Sequence, residues 1–445
     1  MLTAYEFLAR SPKLLSENRC RAFQDGASHH PTASSHHTIT SRLAAMKWML
    51  AITTLLLTLS LSGCRSEESS QSLAEQTSRQ QGAAVIGEIL DTPTLFPPDI
   101  ETSLQRRLAQ EVVRGKTPGI AMYVATSDGI WMGAEGTANQ ETGTVIKPTD
   151  RFRIGRTTNL FVAVVYLQLV EEGILDLHTP IAEYLPPEIS DRFPDSDTLQ
   201  IRQLLNHTSG LADAYTNEFL NDVRAQPDRS WTTREILAYA YDLQPATVRG
   251  VFSYSSTNYL LLELILETVT QAPLAEVLQQ RIQTPAGLTN TFLELREPIP
   301  GGFTQGYQDW NNNGTSENVT LPLINPGLGT GDRGLVSNAT DLVKFVHALL
   351  YEDTLLYRSS LEELLSSTPR GAMEGSGLGI THLLTPWGEA WGQISSDLGF
   401  QSVVLYLPVH DLTMVLWVNE GDRQAVNLLE VAEDALRLIL GEPKF

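Results

Sequence analysis

Hydrophobic positions along this chain show two patterns, a helical spacing of about four residues and short strand-like runs. Between residues 99 and 113 apolar side chains recur every four positions, which predicts an amphipathic helix. Two strand-like runs follow at residues 119–125 and 130–136, and the Ser-Asp-Gly turn between them predicts a hairpin. Residues 158–172 are apolar nearly all round before Gly173, a pattern typical of a helix that is buried on every side.

The rest of the chain divides into a helical middle and a strand-containing end. Further helices are predicted at residues 199–206, 232–242, 258–270, 274–284 and 340–350, with strands at 401–408 and 412–419 and a last helix at 424–440. Strands near both ends with helices between them predict one α+β domain over residues 93–445, whose helical middle covers about 158–350. We expect an antiparallel sheet, built from the N- and C-terminal strands and flanked by helices.

Residues 46–64 have the pattern of a bacterial lipoprotein signal peptide. Lys47 precedes an apolar run of about 14 residues, and Ser62 and Gly63 stand directly before Cys64. The run is shorter than the ~20 residues that a transmembrane helix needs. We expect Cys64 to be acylated, the polar residues 65–92 to form a tether, and residues 1–45 to be an over-extended start or disordered.

The signal predicts where the protein works. We expect an exported protein that is lipid-anchored in the cell envelope, with the membrane as its partner through acylated Cys64. Arg65 rather than aspartate follows the cysteine, so we expect the domain to face the periplasm from the outer membrane where the cell has one. The sequence predicts no oligomeric state.

The composition and two motif-like stretches argue against several kinds of ligand. Of 445 residues, 31 are Lys or Arg and 52 are Asp or Glu, and the resulting net charge of -21 argues against nucleic-acid binding. The two cysteines, Cys20 and Cys64, are too few for a disulfide scaffold or a thiolate metal site. The Gly-x-Gly-x-x-Gly run at 329–334 does not follow a strand, and the calcium-loop-like stretch 309–314 has Thr320 where a bidentate carboxylate is needed. We therefore expect no cofactor and no metal.

Several short motifs stand in a characteristic order. The longest is the stretch 151–186, RFRIGRTTNLFVAVVYLQLVEEGILDLHTPIAEYLP. The others are PGIA at 118–121, LNHTSGL at 205–211, YSSTNY at 254–259, GLVS at 334–337 with Asp341, and GLG at 377–379. Together they resemble class C β-lactamases, D-alanyl-D-alanine carboxypeptidases and related serine hydrolases with a penicillin-binding-protein-like fold. The resemblance implies a nucleophile at the start of the buried helix.

The three catalytic motifs of that family are degenerate here. At the positions of Ser-x-x-Lys the chain has Arg156 and Asn159, and neither side chain can act as a nucleophile or as a base. Tyr-x-Asn becomes Tyr254-Ser255-Ser256, which keeps the phenol and loses the amide. The His/Lys-x-Gly motif, which the resemblance places on a strand at the sheet edge, becomes Gln393-Ile394-Ser395.

No other serine and lysine have the required spacing. The chain has six lysines, and none of them follows a serine by three positions. The nearest pair is Thr144 and Lys147, but the β-branched residues there and the following Pro148 predict an extended segment rather than one helical turn.

Two classes of function remain. The first is a pseudoenzyme that binds a ligand or partner in the former cleft, either an anionic small molecule or a peptidoglycan-related one. Its binding residues would be Arg156, Asn159, Tyr254, Ser256, Gln393 and Ser395. The second is an active serine hydrolase, esterase or carboxypeptidase-like enzyme whose nucleophile is Thr157, Ser255 or Ser256, served by Tyr254. A purely structural role for Arg156, which would then fill the cleft, is also open, and His207 is expected to make structural hydrogen bonds beside the site.

Overall fold

The first and last strands of the folded part pair side by side. The computed structural model describes residues 96–443, apart from 128, 321–328, 353, 371–373 and 423. The predicted lipoprotein signal, Cys64 and the tether at 65–92 lie outside the described residues. Ile120 of the first strand pairs with Val418 of the last one, in an antiparallel register. The expected antiparallel sheet of terminal strands is therefore confirmed.

The described strands form one large sheet and two small ones. They are β1 (Gly119–Thr126), β2 (Gly129–Asn139), β3 (Thr144–Val145), β4 (Phe152–Arg153), β5 (Phe292–Leu293), β6 (Tyr307–Gln308), β7 (Glu317–Asn318), β8 (Leu335–Ser337), β9 (Thr368–Pro369), β10 (Glu374–Ser376), β11 (Thr381–Thr385), β12 (Gly388–Asp397), β13 (Phe400–Leu407) and β14 (Leu412–Val418). The large sheet is antiparallel, in the order β3-β2-β1-β14-β13-β12-β11-β10-β9. The small sheets are β4-β8-β5 and β6-β7.

Helices cover both faces of the large sheet. Those of the described residues are α1 (Pro98–Val113), α2 (Thr158–Glu171), α3 (Pro187–Ser190), α4 (Ile201–Leu205), α5 (Asn217–Ala225), α6 (Thr233–Leu237), α7 (Ser256–Thr270), α8 (Leu274–Leu278), α9 (Ala339–Val346), α10 (Arg358–Leu364) and α11 (Leu428–Leu440). No helix in the described part of the chain is long and apolar enough to cross a membrane. The helices are mostly those that the apolar spacing predicts. Helices α8 and α9 continue as π-helical turns, Gln279–Gln283 and His347–Tyr351, close to the predicted ends, whereas α4 and α6 are shorter than predicted.

Successive side chains of the central strands point to opposite faces of the sheet, and each face has its own hydrophobic core. Tyr123 and Trp417 point to the side of the helical middle, where the larger core lies. Met122 and Leu416 point to the other side, where they pack with residues of α1 and α11. Both faces of these strands are covered, so β14 is buried along its whole length.

Helix α2 lies inside the larger core, as its all-round apolarity predicts. Eleven of its 14 residues are buried. A hydrophobic helix gains most from burial on every side, and this burial fixes the helix start against the sheet. The residues just before α2 therefore occupy a well-defined position beside β12.

Two expectations about the elements are wrong. The strand that carries Gln393 is not at the sheet edge, because β11, β10 and β9 continue the sheet beyond β12. The sequence analysis also missed α3, α5 and α10, although Thr216 caps α5 by accepting a hydrogen bond from the Phe219 N–H. These helices are short, and a short apolar pattern gives a weak signal.

Candidate functional site in the cleft between helix α2 and strand β12

The turn before α2 packs directly against β12. Gly155 has a positive φ of 51°, and a Cβ atom at this position would collide with the Ser395 hydroxyl. Glycine thus lets the backbone approach the strand, and the Arg156 N–H donates a hydrogen bond of 2.8 Å to Ser395 Oγ. Arg156 and Ser395, which the sequence analysis placed in one site, are in direct contact.

The Arg156 side chain lies over the ring of Tyr254. Its guanidinium carbon is 3.9 Å from the ring centroid, which is a cation–π contact. Its Nε is buried and has no hydrogen-bond partner. Among the described residues no carboxylate forms an ion pair with Arg156. The guanidinium is thus held by an aromatic face and has no directly paired carboxylate, although its charge helps to lower the pKa of Asp332.

The Tyr254 hydroxyl is bound to a buried carboxylate that the sequence analysis did not single out. It donates a hydrogen bond of 2.6 Å to Asp332 Oδ1, and Arg333 Nε donates to Asp332 Oδ2 at 2.9 Å. Burial alone would raise the pKa of Asp332, but Arg333 and the tyrosine hydroxyl hold it below its usual range. Burial and the Asp332 charge raise the pKa of Tyr254, so the phenol keeps its proton.

Arg333 connects this carboxylate to the rest of the cleft. Its guanidinium donates to Ser256 Oγ at 3.2 Å and forms an ion pair of 3.4 Å with Asp397. The same group lies 4.1 Å from the centroid of the Tyr215 ring. Arg333 is therefore compensated by two carboxylates, in contrast to Arg156.

Gln393 and Asn159 both lie beside Gly379. Gln393 Nε2 donates to the Gly379 carbonyl at 2.5 Å, and Thr381 donates to Gln393 Oε1 at 3.5 Å. A Cβ atom on Gly379 would lie 2.7 Å from the Asn159 carbonyl, so a larger residue would not fit here. Asn159 is buried, and its Oδ1 has no partner.

The structure brings all six predicted binding residues into one connected region, but their accessibility differs. Arg156 and Tyr254 are partly exposed. The other four, which are buried, are Asn159, Ser256, Gln393 and Ser395. The accessible surface of the predicted site is therefore centred on the Arg156–Tyr254 pair.

The loop 329–334 carries Asp332 and Arg333, and its glycines have a structural explanation. A Cβ atom on Gly334 would lie 2.5 Å from the Thr330 nitrogen. The Gly331 N–H donates to Glu263 of α7 at 2.9 Å, which fixes the loop to that helix. The glycines of this run therefore serve close packing beside the site.

His207 has the structural environment that the sequence analysis expected. It has a positive φ of 57°, is buried, and its Nδ1 lies 2.9 Å from Asn258 Nδ2. Burial, together with the charges of Arg156 and Arg370, lowers the pKa of His207 to about 3, although Asp332 opposes this. His207 is therefore neutral at physiological pH.

The hydroxyl groups considered as alternative nucleophiles are poorly placed. Thr157, Ser255 and Ser256 are each at most 1% exposed. Ser255 Oγ donates to the Ala212 carbonyl at 3.1 Å, and Ser256 Oγ accepts from Arg333. Tyr254, their proposed base, keeps its proton and directs it to Asp332.

A cavity and a polar loop lie outside the predicted site. A cavity of about 380 Å³ lies at residues 138–151 and 290–305 and includes none of the six predicted residues. In the described part of the chain no three His, Cys, Asp or Glu residues group closely enough to hold a metal ion. In the calcium-loop-like stretch, both Asp309 oxygens accept backbone hydrogen bonds, from Asn313 and Gly314.

Comparison with known proteins assigns the family. The family model described as Beta-lactamase matches residues 104–436, about three quarters of the chain. The chain belongs to the β-lactamase family. Its similarity to a putative penicillin-binding protein, PbpX of Bacillus subtilis, is 28% identity over 264 residues, covering 58% of this chain and 61% of that protein. Penicillin-binding protein 4 of Amycolatopsis lactamdurans is 30% identical over 285 residues, covering 63% of this chain and 72% of that protein.

Solved structures of two other proteins have the same fold. A D-stereospecific amidohydrolase from Streptomyces sp. matches with a TM-score of 0.66 and 27% identity, covering 75% of this chain and 98% of that chain. A D-amino acid amidase from Ochrobactrum anthropi SV3 matches with a TM-score of 0.66 at 24% identity, covering 77% and 98%, and supports the fold alone. The chain spans about half the length of the first curated relatives that it matches, between 45% and 61%.

Proposed function

We propose that this β-lactamase-family domain is a pseudoenzyme that binds an anionic ligand at Arg156 and does not form an acyl-enzyme. One observation carries the proposal. The residue at the nucleophile position is a partly exposed arginine that is held on the Tyr254 ring and has no carboxylate partner among the described residues. An arginine without a counter-charge is a strong binding group for a carboxylate or a phosphate.

The site lacks three groups that acylation needs: a nucleophilic oxygen, a base and a free N–H donor for the oxyanion. Arg156 has no nucleophilic oxygen, and Asn159 cannot take up a proton. The Arg156 N–H, which could otherwise stabilise an oxyanion, donates instead to Ser395 Oγ. Each of these changes alone would slow an acyl transfer strongly. All three lie at the start of α2.

The start of α2 favours an anion beside Arg156. A helix N-terminus carries partial positive charge, so an arginine there is electrostatically unfavourable by itself. A bound anion would compensate both the guanidinium and the helix end. The names of the relatives PbpX and penicillin-binding protein 4 suggest a peptidoglycan-related ligand, for example one that ends in a carboxylate.

An active hydrolase is the alternative, and covalent labelling separates the two. The purified domain is incubated with a fluorescent penicillin and, separately, with a fluorophosphonate. We expect no labelled band with either probe. Labelling that disappears in Ser256→Ala or Tyr254→Phe would contradict the pseudoenzyme proposal and identify the nucleophile or its base.

Anion binding is tested by titrating benzoate into the wild-type domain and into Arg156→Gln. We expect binding to the wild type that the variant loses. The matched control is Arg229→Gln, because Arg229 also lies on an aromatic ring, 3.8 Å from the Trp231 centroid, but is paired with Glu235 at 2.8 Å. An equal loss in the control variant would contradict a specific site at Arg156.

We propose further that the protein is anchored in the cell envelope through acylated Cys64. The proposal rests on the signal-like sequence before this cysteine. Expressed in a bacterium, the full chain should be found in the membrane fraction, and Cys64→Ser should release it. Cys20→Ser is the control, since Cys20 precedes the predicted signal. Membrane association that survives Cys64→Ser would exclude this anchor.

A further inference from the structure

We propose that Arg156 and Arg370 together form a site for the dianionic phosphoryl group of a phosphomonoester. This inference rests on the proposed anion-binding function and names the ligand class. Arg370 was not among the residues that the sequence analysis selected. The pairing of these two arginines is visible only in the folded structure.

The two guanidinium groups lie on neighbouring aromatic rings. Arg156 covers the Tyr254 ring at 3.9 Å, and Arg370 covers the Phe252 ring at 4.3 Å. Phe252 and Tyr254 are two positions apart, so their Cα atoms are at most about 7 Å apart along the chain. Both rings also contact the ring of His207, at centroid distances of 6.0 and 4.4 Å. The same aromatic segment thus holds both arginines, each on its own ring.

Arg370 reaches the same wall of the cleft as the predicted site. Its Nη1 donates to Thr381 Oγ1 at 3.5 Å, and Thr381 donates to Gln393. Gln393 lies two residues before Ser395, which accepts the Arg156 N–H. Arg370 is exposed as a residue, yet the atoms around its guanidinium desolvate it. This desolvation, together with the Arg156 charge, lowers the pKa of Arg370, although the Glu374 charge opposes the shift. The two positive charges therefore act on each other.

No carboxylate among the described residues is bound directly to this pair of arginines. Asp332 and Asp397 both contact Arg333. Within the described residues neither Arg156 nor Arg370 forms an ion pair with a carboxylate. The buried His207 beside them is neutral. Glu374 acts on Arg370 and Asp332 on Arg156 only through space, without an ion pair. Two cations that repel each other in a partly desolvated site are unfavourable, and a bound anion reduces this cost.

The number of charges selects the ligand. A carboxylate carries one negative charge and is satisfied by one guanidinium. A phosphomonoester carries between one and a half and two charges at pH 7 and has three terminal oxygens, which two arginines can bind together. A phosphodiester carries a single charge and should resemble the carboxylate in affinity. We infer selectivity for the monoester.

The experiment compares phenyl phosphate with benzoate, which shares its ring, and with a diester that has no ring. Phenyl phosphate, benzoate and the diester dimethyl phosphate are titrated by calorimetry in a phosphate-free, low-salt buffer at pH 7.5. We expect phenyl phosphate to bind the wild-type domain at least tenfold more tightly than benzoate or dimethyl phosphate. Arg370→Gln should reduce this preference to less than threefold and keep benzoate binding. Arg156→Gln should lose all three ligands, and Arg229→Gln should behave as the wild type.

Inorganic phosphate is titrated alongside, to separate the phosphoryl group from its ester substituent. Affinity for it within a few fold of that for phenyl phosphate would support recognition of the phosphoryl group itself. Tight phenyl phosphate binding without inorganic phosphate binding would assign the affinity to the aromatic ring and overturn the inference.

The remaining outcomes are distinct. Equal binding of benzoate and phenyl phosphate, both lost in Arg156→Gln, would overturn the phosphoryl site and leave the proposed anion-binding function intact. Binding of none of these ligands would overturn both. A preference that survives Arg370→Gln in a variant with wild-type thermal unfolding would exclude Arg370 from the site.

Discussion

Arg153 and Arg156 are three residues apart and lie in opposite electrostatic environments. Arg153 is 1% exposed, and its guanidinium makes two hydrogen bonds of 2.9 Å to the two oxygens of Glu294. A third bond reaches the Leu398 carbonyl at 3.2 Å. Arg156 is partly exposed, rests on the Tyr254 ring, and leaves its buried Nε without a partner.

The difference separates a structural arginine from a binding arginine. A buried charge is tolerated only when it is paired and its hydrogen-bonding groups are satisfied, as those of Arg153 are. Arg156 satisfies neither condition within the described protein atoms. Functional sites commonly keep such uncompensated groups, because the ligand supplies the missing partner.

The largest expected effect on the free energy of unfolding comes from breaking the ion pair of Arg153 with Glu294. Glu294→Gln leaves the Arg153 charge buried without its carboxylate, and removing one partner of a buried pair typically costs about 3–5 kcal/mol. We expect a loss of that size in the free energy of unfolding, measured by urea denaturation. The double variant Arg153→Met with Glu294→Leu should recover much of it, because it removes both charges. A loss below about 1 kcal/mol would contradict a structural role for the pair.

A smaller effect is expected at Glu263, which is as buried as Glu294 but less completely paired. Thr233 and the Gly331 N–H bind its two oxygens, and Arg296 is 3.8 Å away. Burial outweighs these contacts and raises the pKa of Glu263 from 4.5 to about 7. The folded protein therefore holds this proton while the unfolded chain has released it, so stability falls as pH rises from 4.5 through 7.

The size of that pH effect can be measured with one variant. A shift of this size corresponds to on the order of 2–3 kcal/mol between pH 4.5 and 8. Glu263→Gln keeps a carbonyl oxygen for the Gly331 N–H and an amide for the Thr233 hydroxyl, so its unfolding free energy should vary less over this range. Urea denaturation at four pH values compares the two proteins. Identical pH profiles would mean that Glu263 stays ionised in the fold.

The sequence predicted the scaffold of the cleft better than its charges. Apolar residues all round α2 placed that helix in the core, and the resemblance located Arg156, Asn159 and Tyr254 beside one another. These inferences depend on local pattern and motif order, which a sequence displays directly. The strand order beyond β12 was missed, because short strands such as β9 and β10 have little periodicity.

The charged network could not be predicted in the same way. Asp332 meets Tyr254 across 78 positions of the chain, and Arg333 meets Asp397 across 64. Arg370 belongs to the cleft only because the β9–β10 hairpin continues the large sheet past β12. Contacts between residues so far apart in sequence follow from the packing of whole elements, and no local pattern indicates them.

The smallest effect on stability is expected from Arg156 itself. Arg156→Gln removes one cation–π contact, worth about 0.5–1 kcal/mol at a partly exposed site, and it also removes a positive charge from the start of α2. These two contributions oppose each other, so the unfolding free energy without ligand should change by less than about 1 kcal/mol. Phenyl phosphate at a hundred times its dissociation constant should then stabilise the wild type by about 2.7 kcal/mol and leave the variant unchanged. A loss as large as that of Glu294→Gln, with no response to the ligand in either protein, would instead make Arg156 a second structural arginine.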